Sequence, residues 1–438
     1  MLLQNKLIPI CLSARIASSW TFPMIPSSTS KVLSNKSKTG RTLSYHLSNT
    51  FVPKYGASSR LLSTSSDTKG SAFDAASTVL IGFGCPLRSM GWYHAHQLLQ
   101  KNLCPSASLD YVVEPWYMTE AGKQTPGWDE FDAFRKETEE KEGILFFGKV
   151  SEVPPPKEAD SPRMAIISTR TADMPKHFSE CIKIGCKTIY LEKPGAPTVP
   201  ELEAMRDEAA EAGVSVFMGF NKNVAKFSTK TMEFASKTPG SQITFVHNNA
   251  YENTLESLGE CFERCAEGML KNMAIHELAL LVTFYDVSVE NIEEVVADKE
   301  YSSCQTLVGP SGESFTDFDK IKFAITTKKG ITINVQADRC GGDDSVGIVT
   351  DVDGNVLFEY SMPDDEERED IIPSLEKQLP GAMPYFYVQH PDYITLKERV
   401  AKYCADGTPA HGVASIDVAL ETLKVAEYLT PILQKQLT

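Results

Sequence analysis

Lys187-Thr-Ile-Tyr-Leu191, followed at once by Glu192-Lys193-Pro194, is the stretch on which the fold turns. A short apolar, strand-like run that stops at a proline and hands over to a helix is half of a strand–helix unit. In an open α/β sheet ligands bind outside the carboxyl ends of the strands, so Lys193 stands where a parallel sheet would present a cation to a ligand. By itself the tripeptide reads equally well as a surface Glu-Lys pair before a proline. Its neighbours decide between the two readings.

Downstream, Thr198-Val-Pro-Glu201 matches a capping box and Gly213 stops the helix it opens. Leu202, Met205 and Ala209 share one face of that helix, which can therefore cover a sheet. Val214-Ser-Val-Phe-Met218 supplies the next strand and ends in Gly219-Phe-Asn221. Upstream, Thr78-Val-Leu-Ile81 runs into Gly82-Phe83-Gly84, residues 109–113 and 144–147 are strand-like, and residues 164–167 end in Ser168-Thr169-Arg170-Thr171. Alternation of short apolar runs with amphipathic stretches predicts an α/β fold, with βαβ units and a parallel sheet over residues 75–221. From residue 222 to 438 the strand candidates lengthen and are joined by Gly-containing turns, which predicts an α+β domain with a largely antiparallel sheet. A core helix is expected over residues 268–285 and an amphipathic closing helix over 415–434.

Gly82-Phe83-Gly84, after a strand and before a helix, is a dinucleotide signal, because glycines let the backbone approach a pyrophosphate resting on the helix N-terminus. The third glycine is displaced: it falls in Gly91-Trp-Tyr-His94, so the turn is roughly four residues longer than the usual fingerprint. The alternative is a tight strand-to-helix turn without a ligand.

Composition narrows the class. The chain has 438 residues, 42% hydrophobic and 23% charged, with a net charge of −15, which argues against a nucleic-acid partner. No apolar stretch reaches the roughly 18–20 residues needed to cross a bilayer, so no membrane partner is expected. Residues 1–66 hold eight Lys and Arg and no Asp or Glu. That basic, hydroxyl-rich leader reads as an organellar transit segment over residues 1–74, for the mitochondrial matrix with a plastid as the alternative. The ten cysteines show no zinc spacing, and His94-Ala-His96 has no neighbouring ligand cluster, so no metal is expected.

Taken in order, Gly82-Phe83-Gly84 with Gly91-Trp-Tyr-His94, Ser168-Thr-Arg-Thr171, Glu192-Lys-Pro-Gly195, Gly219-Phe-Asn221, Ile275-His-Glu-Leu278 and Gln389-His-Pro-Asp-Tyr393 resemble the glucose-fructose oxidoreductase / inositol dehydrogenase / rhizopine catabolism family. The resemblance implies a Rossmann domain, a second domain whose open sheet serves homo-oligomer contact, and NAD(P)-dependent transfer of a hydride on a small sugar or polyol. It places Lys193 beside the nicotinamide and the reacting hydroxyl, and makes His276 the acid/base residue. A histidine, with an unperturbed pKa near 6.5, suits that task, and a fixed ammonium stabilises a developing alkoxide. Thr169, Glu192 and Pro194 are expected at the cofactor, and Asn221 at the substrate.

One departure stands out. Many members of that family carry Asp four residues before the histidine, whereas this chain has Asn272, which can orient a hydroxyl but cannot take up a proton. Glu114, after the second strand, is the expected partner of the ribose hydroxyls and favours NAD over NADP; Arg88 in the lengthened turn is the feature that would favour NADP. Two further readings stay open: a cofactor-binding sensor that has kept the fold without turnover, and a reductase of unsaturated or cyclic substrates.

Overall fold

The computed structural model describes residues 75–156, 158 and 161–437. The leader expected over residues 1–74 lies outside them.

Six strands, β1 (Ala76–Ile81), β2 (Ala107–Val113), β3 (Leu145–Phe147), β4 (Arg163–Ile167), β5 (Thr188–Leu191) and β6 (Ser215–Met218), form one sheet in the order β3-β2-β1-β4-β5-β6. All five pairings are parallel. This is the strand order of a dinucleotide-binding fold, whose switch point lies between β1 and β4. The connecting helices are α1 (Met90–Leu99), α2 (Trp128–Glu142), α3 (Met174–Lys183) and α4 (Val199–Ala212). Because side chains alternate across a strand, Val79 and Ile81 enter the core under α3 and α4, while Leu80 between them enters the opposite core with Trp92 and Tyr93 of α1. Thr198 accepts from the Glu201 amide and Gly213 closes α4 in the left-handed conformation, as expected, but the capping box is half made, because the Glu201 carboxylate accepts from the Thr198 hydroxyl at 2.6 Å.

Beyond the first sheet come α5 (Lys226–Ser236), β7 (Gln242–Asn248), α6 (Leu255–Arg264), α7 (Met269–Asn272) and α8 (Ile275–Tyr285). They precede β8 (Ile292–Ala297), β9 (Ser303–Val308), β10 (Ser314–Thr327), β11 (Thr332–Asp338), β12 (Ser345–Thr350) and β13 (Val356–Met362). These strands form a seven-stranded sheet, β13-β12-β7-β11-β10-β8, with β9 paired to β10. Only β7 and β11 pair in parallel. Phe245, Phe323, Ile325, Ile333 and Val335 point into the core that α8 helps to close. The opposite face is half open.

The chain finishes with α9 (Ile372–Gln378), α10 (Pro384–Val388), α11 (His390–Asp406) and α12 (Ile416–Leu437). Here the layers depart from the linear division at residue 222. Helix α11 packs on β1, β2, β4 and β5 of the first sheet, so its Tyr393, Leu396 and Val400 fill the same core as Trp92 and Phe217. The amide of Met218 in β6 donates to the Ala414 carbonyl at 2.8 Å, anchoring the segment that leads into α12. Helix α12 then packs against both α8 and α4.

The single helix expected over residues 268–285 is two helices. The chain breaks at Met273 and Ala274, between α7 and α8. Apolar periodicity runs straight through this break, so only backbone geometry reveals it.

Candidate active site

Four of the expected residues come together at the carboxyl end of β5. A cavity of about 600 Å³ is lined by Glu192, Lys193, Asn272 and His276, together with His247 and Asn248 of β7, Asp343 and Asp344 of the β11–β12 loop, and Tyr385, Gln389 and Tyr393 of the C-terminal segment.

Lys193, which precedes Pro194 across a cis peptide bond, is held by the helix break. The last carbonyls of a helix have no intrahelical partner. The Asn272 carbonyl at the end of α7 is one of these, and the Lys193 Nζ donates to it at 3.0 Å. Burial lowers the Lys193 ammonium from its ordinary pKa, against the opposing field of Glu192 and Glu267. The Asn272 side chain donates its amide to Glu267 Oε1 at 2.8 Å. Thus the backbone of Asn272 positions the lysine, and its amide lies at the edge of the cavity.

His276, the second residue of α8, is buried, and its ring packs edge-on against Phe220 at 5.9 Å between centroids. Its Nδ1 has no hydrogen-bond partner among the described residues. Burial first, then the charges of Lys193 and Lys222, push its pKa well below the ordinary value, so it is a neutral imidazole at neutral pH.

Beneath the Glu-Lys-Pro step lies a buried polar bracket. Glu192 Oε1 accepts from His94 Nε2 at 2.9 Å and from the Tyr190 hydroxyl at 3.2 Å. On the other side of the ring, Lys397 of α11 donates to His94 Nδ1 at 3.2 Å and also to the Gln97 side-chain oxygen. An ammonium only donates, so His94 must carry its proton on Nε2. Both ring nitrogens are thereby occupied, which accounts for His94 without a metal.

Burial carries a pH signature. It lowers His94 to about 4 with help from Lys397, and lowers His390 to about 4 with help from Lys397 and His96. Below pH 6.5 the unfolded chain binds protons that the folded chain refuses, so stability is lost as pH falls from about 6.5 towards 4, by up to about 1.4 kcal/mol per pH unit for each histidine. His96, His247 and His276 are shifted the same way, making five rings, whereas the four carboxyls raised by burial, Asp317, Asp343, Glu367 and Asp392, pull in the opposite sense. The Tm of the full chain should therefore climb between pH 4.5 and 6.5. Differential scanning fluorimetry across that range checks it, and a Tm that is flat or falls with rising pH would contradict the burial assigned to these rings.

The glycine turn fits a dinucleotide. Gly82 has φ +83°, and a Cβ there would lie 2.6 Å from the Ser168 carbonyl oxygen. Gly91, displaced in sequence, does the work of the third glycine: a Cβ on it would lie 1.7 Å from the Gly82 carbonyl oxygen, so only glycine lets α1 pack this close to β1. Phe83 turns inward and packs edge-on against Phe131 and Phe146 and at a tilt against Phe134 rather than facing a ligand. Thr169, beside Gly82, leaves its hydroxyl oxygen buried and without a partner among the described residues. Glu114 is buried: its Oε2 accepts from the Gly84 amide at 2.7 Å, and its Oε1 accepts from the amides of Trp116 and Tyr117 at 2.9 and 3.2 Å. It braces the turn and places a fixed negative charge beside it.

Of the residues expected at the substrate, Asn272 lines the cavity and Asn221 does not; the glycine turn, Glu114, Thr169 and Pro194, expected at the cofactor, also lie outside its lining. Asn221 is wholly buried next to Asp392. Its neighbour Lys222 and the neighbour of His276, Glu277, are the ones with a clear partnership: Lys222 Nζ donates to Glu277 Oε1 at 2.6 Å with both side chains buried, and Glu277 Oε2 lies 3.0 Å from His247 Nδ1. An ionisable residue inside an apolar run, such as Glu277 within Ile275-His-Glu-Leu-Ala-Leu-Leu281, was the available signal for this group.

No family model and no curated protein matches the sequence. Solved structures do match. A probable dehydrogenase from Thermotoga maritima superposes with a TM-score of 0.57 at 16% identity, over 82% of this chain and 96% of that one. Scyllo-inositol dehydrogenase from Lactobacillus casei, with bound NAD(H) and scyllo-inositol, gives 0.58 at 12% identity, over 83% and 96%. A myo-inositol dehydrogenase from Corynebacterium glutamicum gives 0.57 at 16%, over 83% and 96%. The fold is that of these dehydrogenases. The family resemblance read from the motifs is therefore matched by architecture across nearly the whole length of each neighbour.

Proposed function

We propose that this protein is an NAD(P)-dependent oxidoreductase acting on a hydroxylated carbon of a polyol, sugar or related small molecule. The observation that carries the proposal is the convergence of Lys193 and His276 in one cavity at the carboxyl end of the first sheet, next to a glycine turn that fits a dinucleotide. The turn, Thr169, Glu192 and Pro194 would hold the cofactor, whose nicotinamide ring exchanges a hydride with carbon when bound. The chain's own part is positioning and charge. Lys193, pinned by the Asn272 carbonyl, places a cation where an alkoxide develops, and the neutral His276 is available to receive a proton. Polar side chains on the cavity wall, including Asn248, Asp344 and Gln389, suit hydroxyl groups.

NAD is the favoured cofactor, because the buried carboxylate of Glu114 beside the turn disfavours an added phosphate. The basic leader supports import into mitochondria, with plastids as the other destination. A homo-oligomer is favoured by the open face of the second sheet, where the strand register aligns Val296, Ala324, Asn334, Thr244 and Ile348 in one row.

The test uses the purified full chain. A rise in Tm with NAD exceeding that with NADP, followed by reduction of NAD in the presence of members of a polyol and sugar panel, is the expected result. No thermal shift with either cofactor would overturn the assignment, and binding without turnover on any substrate would leave a sensor.

A further inference from the structure

The cavity contains a second histidine whose surroundings are better organised for proton transfer than those of His276. His247, near the end of β7, lines the same cavity, with its ring centroid 6.3 Å from that of His276. Its Nδ1 lies 3.0 Å from Glu277 Oε2, and the other carboxylate oxygen of Glu277 accepts from Lys222, which also donates to Ser345 Oγ at 2.8 Å. Burial alone would raise the Glu277 carboxyl, but His247 and Lys222 outweigh it and hold the group well below the usual carboxylate range. An ionised carboxylate can only accept, so the shared proton belongs to Nδ1 and the Nε2 lone pair of His247 is left free. A base whose far nitrogen is fixed by a carboxylate is the arrangement by which imidazoles are oriented for proton transfer. His276 has no such partner at its Nδ1, and Asn272 cannot accept a proton.

We propose that His247 is a second acid/base residue of this site, oriented by Glu277, and that it carries the proton which Asn272 cannot. The proposal rests on the oxidoreductase reading above. When an alcohol is oxidised, the C–H hydrogen leaves with both electrons to the nicotinamide cofactor, which is reduced. The O–H bond breaks as the carbonyl forms, and its proton passes to His247 Nε2. The resulting imidazolium faces the Glu277 carboxylate, and Lys222 holds that carboxylate in place from the other side.

Several charged and titratable groups face His247: Glu277 and His276 from α8, Lys222 following β6, Lys193 following β5, and Asp343 from the β11–β12 loop. Burial, opposed by Glu277, keeps the ring below its ordinary pKa, so it is neutral and able to accept a proton at neutral pH.

The experiment has a kinetic arm and a spectroscopic arm, both on the full chain. In the oxidative direction, His247→Gln should lower kcat at least about 10²-fold and remove the fall in kcat expected on the acid side of the wild-type pH profile, and His247→Ala should regain activity with added imidazole. Selective ¹⁵N-histidine NMR of the wild-type chain, without substrate or cofactor, should show His247 protonated on Nδ1 at neutral pH. A His247→Gln enzyme with wild-type kcat and pH profile would overturn the proposal while leaving the oxidoreductase reading intact, and so would a wild-type spectrum with the proton on Nε2. A wild-type chain that turns over no substrate defeats both. The wild-type tautomer decides the matter even if the His247 variants fold poorly.

Discussion

Replacing Lys193 by alanine should lower kcat/KM by about 10²–10³-fold while the rise in Tm on adding the nicotinamide cofactor persists. The size of the loss follows from what the ammonium does. It sits in the cavity with its donor direction fixed by the Asn272 carbonyl at 3.0 Å, so no reorganisation is needed as charge develops on a substrate oxygen. Lys193→Arg should recover little, because a planar fork cannot reproduce a compact cation at that carbonyl. Steady-state kinetics alongside fluorimetry would check both variants. Activity within a few-fold of wild type would remove Lys193 from the chemistry and reduce its bond with Asn272 to a structural tie.

The second large effect is on stability. Glu277→Ala should destabilise the fold by about 3–5 kcal/mol, since it leaves a buried lysine without its carboxylate. Both partners are buried, with side-chain exposures of 1% for Lys222 and 0% for Glu277. The same principle predicts that the double variant Lys222→Met with Glu277→Leu regains most of the loss, because an apolar pair of similar volume carries no desolvation cost. Urea unfolding midpoints for the single and double variants measure this. A single variant within about 1 kcal/mol of wild type would mean that Lys222 reaches water or another acceptor when Glu277 is removed.

The sequence made the parallel sheet legible because each strand ends in chemistry as well as in a turn: glycines after β1, Ser168-Thr169 after β4, Glu192-Lys193-Pro194 after β5. Lys193 and His276 could be paired only through the family resemblance, yet the fold does bring both to one cavity. What remained hidden depends on distance along the chain. The bond between Lys193 and Asn272 needs a helix break that apolar periodicity conceals, since Met269, Leu270, Met273 and Ala274 are apolar on both sides of it. Asn221 was expected at the substrate because it closes a motif, but that motif ends with its asparagine in the core, and the next residue, Lys222, is the one that reaches Glu277. His247 lies in a strand of the second sheet with nothing local to mark it, and its role rests on a carboxylate thirty positions away.

The return of α11 to the first sheet has a consequence for how the protein is made. That helix supplies a layer of the core shared with Trp92 and Phe217, and its Lys397 completes the bracket that holds Glu192. A ribosome releases the dinucleotide-binding strands early, but the apolar face that α1 covers in part stays incomplete until α11 emerges. The first sheet is thus translated early and finished late, and a fragment ending at residue 221 would expose the part of the sheet face that α11 covers rather than behave as an independent module.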